Sequence, residues 1–303
     1  MSAANDLSDQ PVRIDNQNGS LEDRLERGEI GYYPVCPFAL SEGDDHQFLL
    51  EQRLASRAHK NISYDPRSGR LGGFHQTSPA QAERLRELLA SFQRNATEWL
   101  AGMLPRYAKS WRLDQVSYRP AEEATRKLRL KARNDLLHVD AFPSRPTNGH
   151  RILRLFVNIN PSEPRVWCTS LTFGQLLEKY GREVGLPTPA GAGWITQLRR
   201  EVTGFFAPKL RNRSPYDEFM LRFHDFLKAN DAFQVRGPKR YWSFPPGCAW
   251  MVFTDVASHA VLRGRYALEH SYFIAPQSLA LPDQSPPALL ERACGAPVLL
   301  RAA

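Results

Sequence analysis

Residues 136–142 read LLHVDAF, with a histidine and an aspartate one residue apart inside an apolar run. Burying either group is costly unless it finds a partner. Alternate residues of a strand point to the same face, so His138 and Asp140 project together if this run is a strand. Two histidines and one carboxylate on one side of a metal make the iron(II) site of many non-haem oxygenases, leaving positions open for a cosubstrate and oxygen. The third ligand must come from elsewhere. His259, in FTDVASHAVLRG, begins an apolar strand in a later block and is the candidate. The competing reading of His138 and Asp140 is a polar pair at a strand edge, bonded to backbone groups.

The run after His259, HAVLRGRYALEH, reads as a hairpin with a two-residue loop at Gly264 and Arg265. That register sets Arg263 opposite Tyr266, Val261 opposite Leu268 and His259 opposite His270. His270 then lies beside the metal ligand, where it could orient it or bind cosubstrate. An iron oxygenase that uses 2-oxoglutarate also needs a cation for the far carboxylate, best an arginine that binds it bidentately. In RILRLFVNIN, Arg154, Phe156, Asn158 and Asn160 share one face. Arg154 is the candidate anchor and Asn158 a polar helper; the alternative is a solvated strand face. Arg263 and Arg265 compete for the role from a more remote hairpin tip.

The elements around these residues fall into blocks. Residues 1–30 are polar and read as flexible, with a short helix at LEDRLERG. Residues 31–276 read as one domain: a helical front over 31–113, strands over 114–165 and 240–276, and a helical insertion over 170–235. In the front, 45–58 and 78–104 have helical spacing; Ser78 can cap, Pro79 suits the first turn, and Leu85, Leu88, Leu89 and Phe92 form an apolar stripe. Residues 116–120 (VSYRP) and 127–133 (KLRLKAR) read as strands, the second with Lys127, Arg129, Lys131 and Arg133 on one face. That cationic face is either a solvated exterior or a cradle for an acidic substrate. FPPG at 244–247 reads as a turn before an apolar strand, and 277–303 as a tail. Short strands separated by turns predict an α+β fold with a double-stranded β-helix (jelly-roll, cupin-like) core flanked by helices. His46, His59, His75, His150 and His224 fall in helical or loop stretches and read as surface residues.

The chain has 303 residues, a formal net charge of +8 and a hydrophobic fraction of 42%, the composition of a folded soluble domain. The positive balance favours an anionic partner. Cys36, Cys168, Cys248 and Cys294 lack the spacing of a zinc or redox motif and read as free thiols in a reducing compartment. The polar N-terminus lacks a signal-peptide core and no apolar run is long enough to span a bilayer, so the expected location is cytoplasmic.

The string HVDAFPSRPTNG…R…NINP, with KNISYDP at 60–66 upstream, resembles the Kdo 3-hydroxylases of Gram-negative bacteria over about residues 30–276. The resemblance implies an Fe(II)- and 2-oxoglutarate-dependent dioxygenase with His138, Asp140 and His259 as its ligands. It further implies hydroxylation of 3-deoxy-D-manno-oct-2-ulosonic acid (Kdo) at carbon 3, on Kdo-bearing lipid A, to give the sugar called Ko. O2 and 2-oxoglutarate are then cosubstrates, and the phosphorylated glycolipid suits a basic enzyme touching the cytoplasmic face of the inner membrane. Three other readings stand beside this one: a cupin-type 2-oxoglutarate-dependent protein hydroxylase, a zinc or manganese jelly-roll isomerase, and a non-enzymatic basic nucleic-acid binder. Against the last, the arginines are dispersed and no binding motif is found, so no nucleic-acid partner is expected. The chain also lacks a nucleophile elbow, a phosphate-binding glycine loop and a dinucleotide fingerprint.

Overall fold

The computed structural model describes residues 19–186 and 213–300. Most of the expected flexible N-terminal segment, residues 187–212 of the expected helical insertion, and the last three residues lie outside them. Two antiparallel sheets form the centre. The larger has seven strands in the order β1-β8-β5-β10-β4-β2-β3, and the smaller has three, β7-β6-β9. The strands are β1 Gly31–Tyr33, β2 Ile62–Tyr64, β3 Leu71–Gly72, β4 Arg112–Arg119, β5 Arg151–Asn158, β6 Arg165–Thr172, β7 Arg240–Phe244, β8 Ala249–Phe253, β9 Ala257–Arg263 and β10 Ala267–Ile274. This is the expected α+β jelly-roll.

Between the sheets lies an aromatic core. Phe156 and Trp250 from the large sheet meet Trp167, Trp242 and Phe244 from the small one. Phe244 stacks on Trp250 at 4.0 Å between centroids and Trp250 on Phe156 at 5.2 Å, so the two sheets are locked by ring packing. The outer face of the large sheet is covered by the helix α3, Pro79–Met103, which the short α4, Pro105–Ala108, follows. Ser78 caps α3, its hydroxyl accepting from the Gln81 N–H at 3.1 Å, and Pro79 occupies the first turn. Leu85, Leu89, Phe92, Ala96 and Leu100 recur at helical spacing and are the face it buries. Central strands β5 and β8 are buried along their whole length, which is why their sequences read as apolar runs rather than as alternation.

The outer face of the small sheet carries the remaining helices: α5 Phe173–Tyr180, α6 Pro215–Ala229, α7 Asp231–Arg236 and α8 Pro286–Cys294. Helix α8 comes from the expected tail; its Leu290 and the following Val298 are fully buried, so the tail belongs to the core. At the front, α1 Leu21–Glu26 matches the expected short helix, and α2 Gly43–Glu51 stops earlier than its periodicity predicted.

Two expected elements are absent. Residues 127–133 form no strand; they hold one 3-10 turn at Leu130–Ala132. Four cations on one face with no strand beside them have nothing to pair against, and Leu130 on the other face is 46% exposed. Nor do β9 and β10 form a hairpin. β10 uses one edge for β4 and the other for β5, leaving none for β9, which pairs with β6 instead. Gly264 has φ +118° and its carbonyl accepts from Arg165 Nη1 at 2.8 Å, while its N–H donates to Glu122 at 2.7 Å. Side chains thus hold the turn that carries the chain from one sheet to the other, and His259 and His270 are not opposed.

Candidate metal centre

The segment 134–140 runs along the free edge of β9 as an irregular strand. Asn134 accepts from Val261 N–H at 2.8 Å, and His138 and His259 form a two-way backbone bridge, 3.1 and 2.9 Å. The Asp140 N–H then donates to Thr254 at 2.8 Å. Gln234 of α7 clamps the segment from outside, bonding both the N–H and the carbonyl of Leu137 at 2.9 Å. These bonds answer the question raised by LLHVDAF: the polar side chains are aimed inward while the backbone is satisfied on the sheet edge.

The bridge sets the two imidazoles side by side, 4.7 Å between centroids. Each Nδ1 bonds a backbone carbonyl two residues earlier, Leu136 for His138 at 2.7 Å and Ala257 for His259 at 3.0 Å. Those bonds fix the tautomers with Nε2 free to ligate. Nε2 of His138 lies 3.5 Å and that of His259 4.0 Å from Asp140 Oδ1. One donor atom from each of the three residues falls within 4.8 Å of the others, and all three residues are buried.

Protonation states agree with ligation. Burial lowers the His138 pKa well below the usual imidazole range, aided by Lys228, and burial likewise lowers that of His259. Burial opposes ionisation of Asp140, but Arg154, then the two histidines, outweigh it and hold the carboxyl well below its usual range. Two neutral imidazoles and one carboxylate with converging lone pairs fit an iron(II) ion.

Arg154 is buried rather than solvated. It donates Nη1 to Asp140 Oδ2 at 2.5 Å and Nη2 to Glu269. Glu269 also receives Arg119 Nε at 2.8 Å, and Arg119 and Arg165 approach Glu123 at 3.6 and 3.8 Å. One wall of the site is therefore a cluster of three arginines and two glutamates. Asn158 spends its carboxamide on a turn, donating to Glu163 and Phe244 carbonyls and accepting from the Asn160 N–H. His270 pairs with Leu155 and Val116, on the opposite face of the sheet from Arg154, and bonds Tyr272 at 2.7 Å. The position beside His259 that a hairpin would have given it does not exist.

Three neighbours escaped the sequence reading. Trp167 stacks on the His259 ring at 5.3 Å and 20°. His224 of α6, expected on the surface, sets its ring edge-on to His138 at 4.8 Å, bonds the Val139 carbonyl at 2.9 Å, and is lowered to about 4 by burial. Glu269 was legible in principle: a carboxylate in the apolar run YALEHSYFIAP needs a buried cation, by the argument that singled out Arg154.

The crystal structure of the Kdo hydroxylase KdoO, a non-haem Fe(II) α-ketoglutarate-dependent dioxygenase, in complex with cobalt(II) is similar to this chain. The two share 32% identity with a TM-score of 0.78, over 93% of this chain and 91% of the other. The KdoO complex with α-ketoglutarate and Fe(III) is similar at 32% identity and a TM-score of 0.76, covering 92% and 90% of the two chains. No curated protein matches the sequence. The profile of the 3-deoxy-D-manno-oct-2-ulosonic acid (Kdo) hydroxylases matches residues 8–297. A match over nearly the whole chain, on a fold and donor set suited to iron, shows that this chain belongs to the Kdo hydroxylase family.

Proposed function

We propose that the protein hydroxylates carbon 3 of Kdo on Kdo-bearing lipid A, giving Ko, with Fe(II), 2-oxoglutarate and O2. The carrying observation is the buried convergence of His138 Nε2, His259 Nε2 and Asp140 Oδ1 in a chain of this family. These residues would hold the iron, which supplies the oxidising chemistry when bound. The protein's own residues bind, orient and exclude water. Backbone carbonyls keep both imidazoles in the ligating tautomer, and Trp167 holds the His259 plane.

Arg154 is the cation assigned to the far carboxylate of 2-oxoglutarate. Asp140, Glu123 and Glu269 balance Arg119, Arg154 and Arg165. Once Asp140 serves a metal, three guanidiniums face two carboxylates, and a cosubstrate carboxylate restores the balance. The buried positions of Asn158 and His270 support only indirect roles: Asn158 shapes the end of β5, and His270 packs the far side of β10.

The rest of the glycolipid is acidic. A groove of about 710 Å³ opens between the 52–57 loop and 120–128, with Arg53, Arg57, Arg126 and Lys127 on its walls. Arg126 is held in place by donating to the Lys60 carbonyl at 2.9 Å. This groove and the net charge of +8 support a phosphorylated substrate presented at an anionic membrane surface. No helix among the described residues is long and apolar enough to cross a membrane. The test is mass spectrometry of Kdo-lipid A after incubation with enzyme, iron and 2-oxoglutarate under 18O2. A heavy oxygen on carbon 3 of the sugar is expected; an unlabelled lipid would reject the substrate.

A further inference from the structure

Two lysines lie close to the metal centre, Lys228 beside His138 and Lys60 next to Arg119 at the edge of the arginine cluster. Lys228 sits on α6 one turn after His224, on the same helix face, and is 2% exposed. Its Nζ donates to one acceptor, the Lys131 carbonyl at 3.1 Å. Lys60 precedes Asn61, whose Nδ2 bonds Ser117 at 2.5 Å on the face of β4 that also carries Arg119. Among the described residues, no carboxylate lies within ion-pair distance of either ammonium. The acids whose charges reach them are committed elsewhere: Asp225 to Lys131 at 2.5 Å, Asp135 to Arg133 at 2.6 Å, Asp140 to Arg154 at 2.5 Å and Glu123 to Arg119 at 3.6 Å. Instead each lysine stands near other cations, Lys60 beside Lys228 and both Arg119 and Arg126 beside Lys60; burial and then Lys60 push Lys228 down to about 7.

A desolvated cation with like charges around it and no carboxylate of its own is expensive. An anionic ligand relieves that cost. We propose that Lys60 and Lys228 seat the carboxylate of the reacting sugar, an inference that rests on the Kdo reading. Chemistry selects this source. A 2-oxoglutarate carboxylate is already served by Arg154, whose guanidinium sits between Asp140 and Glu269. In Kdo the acid group is carbon 1, two bonds from the carbon that reacts, so its seat must adjoin the metal. The outer groove cations do not meet that requirement. Holding the acid group fixes which hydrogen of carbon 3 faces the iron site.

The test uses the iron-loaded enzyme with Lys60→Gln and Lys228→Met, varying Kdo-lipid A and 2-oxoglutarate separately. The KM for Kdo-lipid A should rise roughly tenfold or more, as for truncation of one partner of a buried charge pair, with the KM for 2-oxoglutarate unchanged. A substrate carrying the Kdo methyl ester should no longer distinguish the variants from the parent. Saturation-transfer NMR with free Kdo and metal-free protein gives a readout without turnover: the signal should vanish in both variants. Unchanged sugar KM, a rise confined to 2-oxoglutarate, or continued discrimination with the methyl ester would each overturn the proposal. Lys60 is only partly buried, so Lys60→Gln decides the matter if Lys228→Met fails to fold. A parent enzyme that leaves Kdo-lipid A unoxidised overturns the substrate reading itself, which is a separate result.

Discussion

His138 and His259 face each other across a two-way backbone bridge, His138 N–H to His259 O at 3.1 Å and His259 N–H to His138 O at 2.9 Å. Two candidate ligands far apart in sequence are thereby held by main chain, and the side chains need only converge. Replacing either histidine by alanine leaves the bridge intact and removes one donor. Each variant should fold with a parent-like circular dichroism spectrum, while iron affinity falls by more than the roughly 10–100-fold typical of residues that merely support ligands. Equilibrium dialysis against iron under anaerobic conditions measures this; parent-like affinity in His259→Ala would remove it from the ligand set.

Trp167 is the support behind His259. It is 1% exposed and stacks on that imidazole while packing edge-on to Phe156 and Trp250. Trp167→Ala should cost about 3–5 kcal/mol in urea denaturation, the usual loss for a large aromatic in a core. Trp167→Phe should recover most of the stability. Iron affinity should follow the same order across the three proteins, and an alanine variant with full iron affinity would show that ring support is dispensable.

The Arg119–Glu269–Arg154 network links stability to pH. Burial opposes ionisation of Glu269, but Arg119 and Arg154 hold it down to about 2, against 4.5 for an unperturbed glutamate. A depressed folded-state pKa gives stability that is present above the unfolded value and is lost as pH falls through the folded one. The contribution should therefore persist at neutral pH and decline between about pH 4.5 and 2. Glu269→Gln should cost about 3–5 kcal/mol at pH 7 because it leaves two buried guanidiniums short of a charge. The gap between variant and parent should narrow over that acid window in a denaturant series. A gap independent of pH would mean that shape rather than charge is at stake.

Gly264 carries the chain between sheets at φ +118°, and a Cβ there would meet Arg165 Cα at 2.9 Å. Both the backbone conformation and the space exclude a side chain. Gly264→Ala should lower stability by about 1–3 kcal/mol, the cost of a strained backbone position, read as a lower melting temperature. Parent-like melting would show that the turn can relax without disturbing Arg165.

How much of this was legible depends on which force set each feature. Ser78, Pro79 and the Leu85–Leu89–Phe92 spacing are local signals, and α3 begins and ends within a residue of the reading. His138, Asp140 and His259 were legible because polar groups in apolar runs demand a reason, and the structure brings all three together. The same logic singled out Arg154, which the structure buries against Asp140 and Glu269. The hairpin after His259 was not, because local turn chemistry at Gly264 competes with the two free edges of β4 and β5, and sequence does not show which strand will take them. The alternation in KLRLKAR carried the period of a strand but no neighbour to pair with. His224, Lys228 and Trp167 reach the centre through tertiary packing alone, from a helix and from the opposite sheet.

A His138–Asp140–His259 iron centre would couple 2-oxoglutarate decarboxylation to hydroxylation of Kdo. The most direct measurement is succinate formed per oxygen gained by Kdo-lipid A, for the parent and for His138→Ala. One succinate per hydroxylated sugar is expected in the parent and neither product in the variant. Succinate without sugar oxidation in the parent, or coupled turnover that survives His138→Ala, would contradict it.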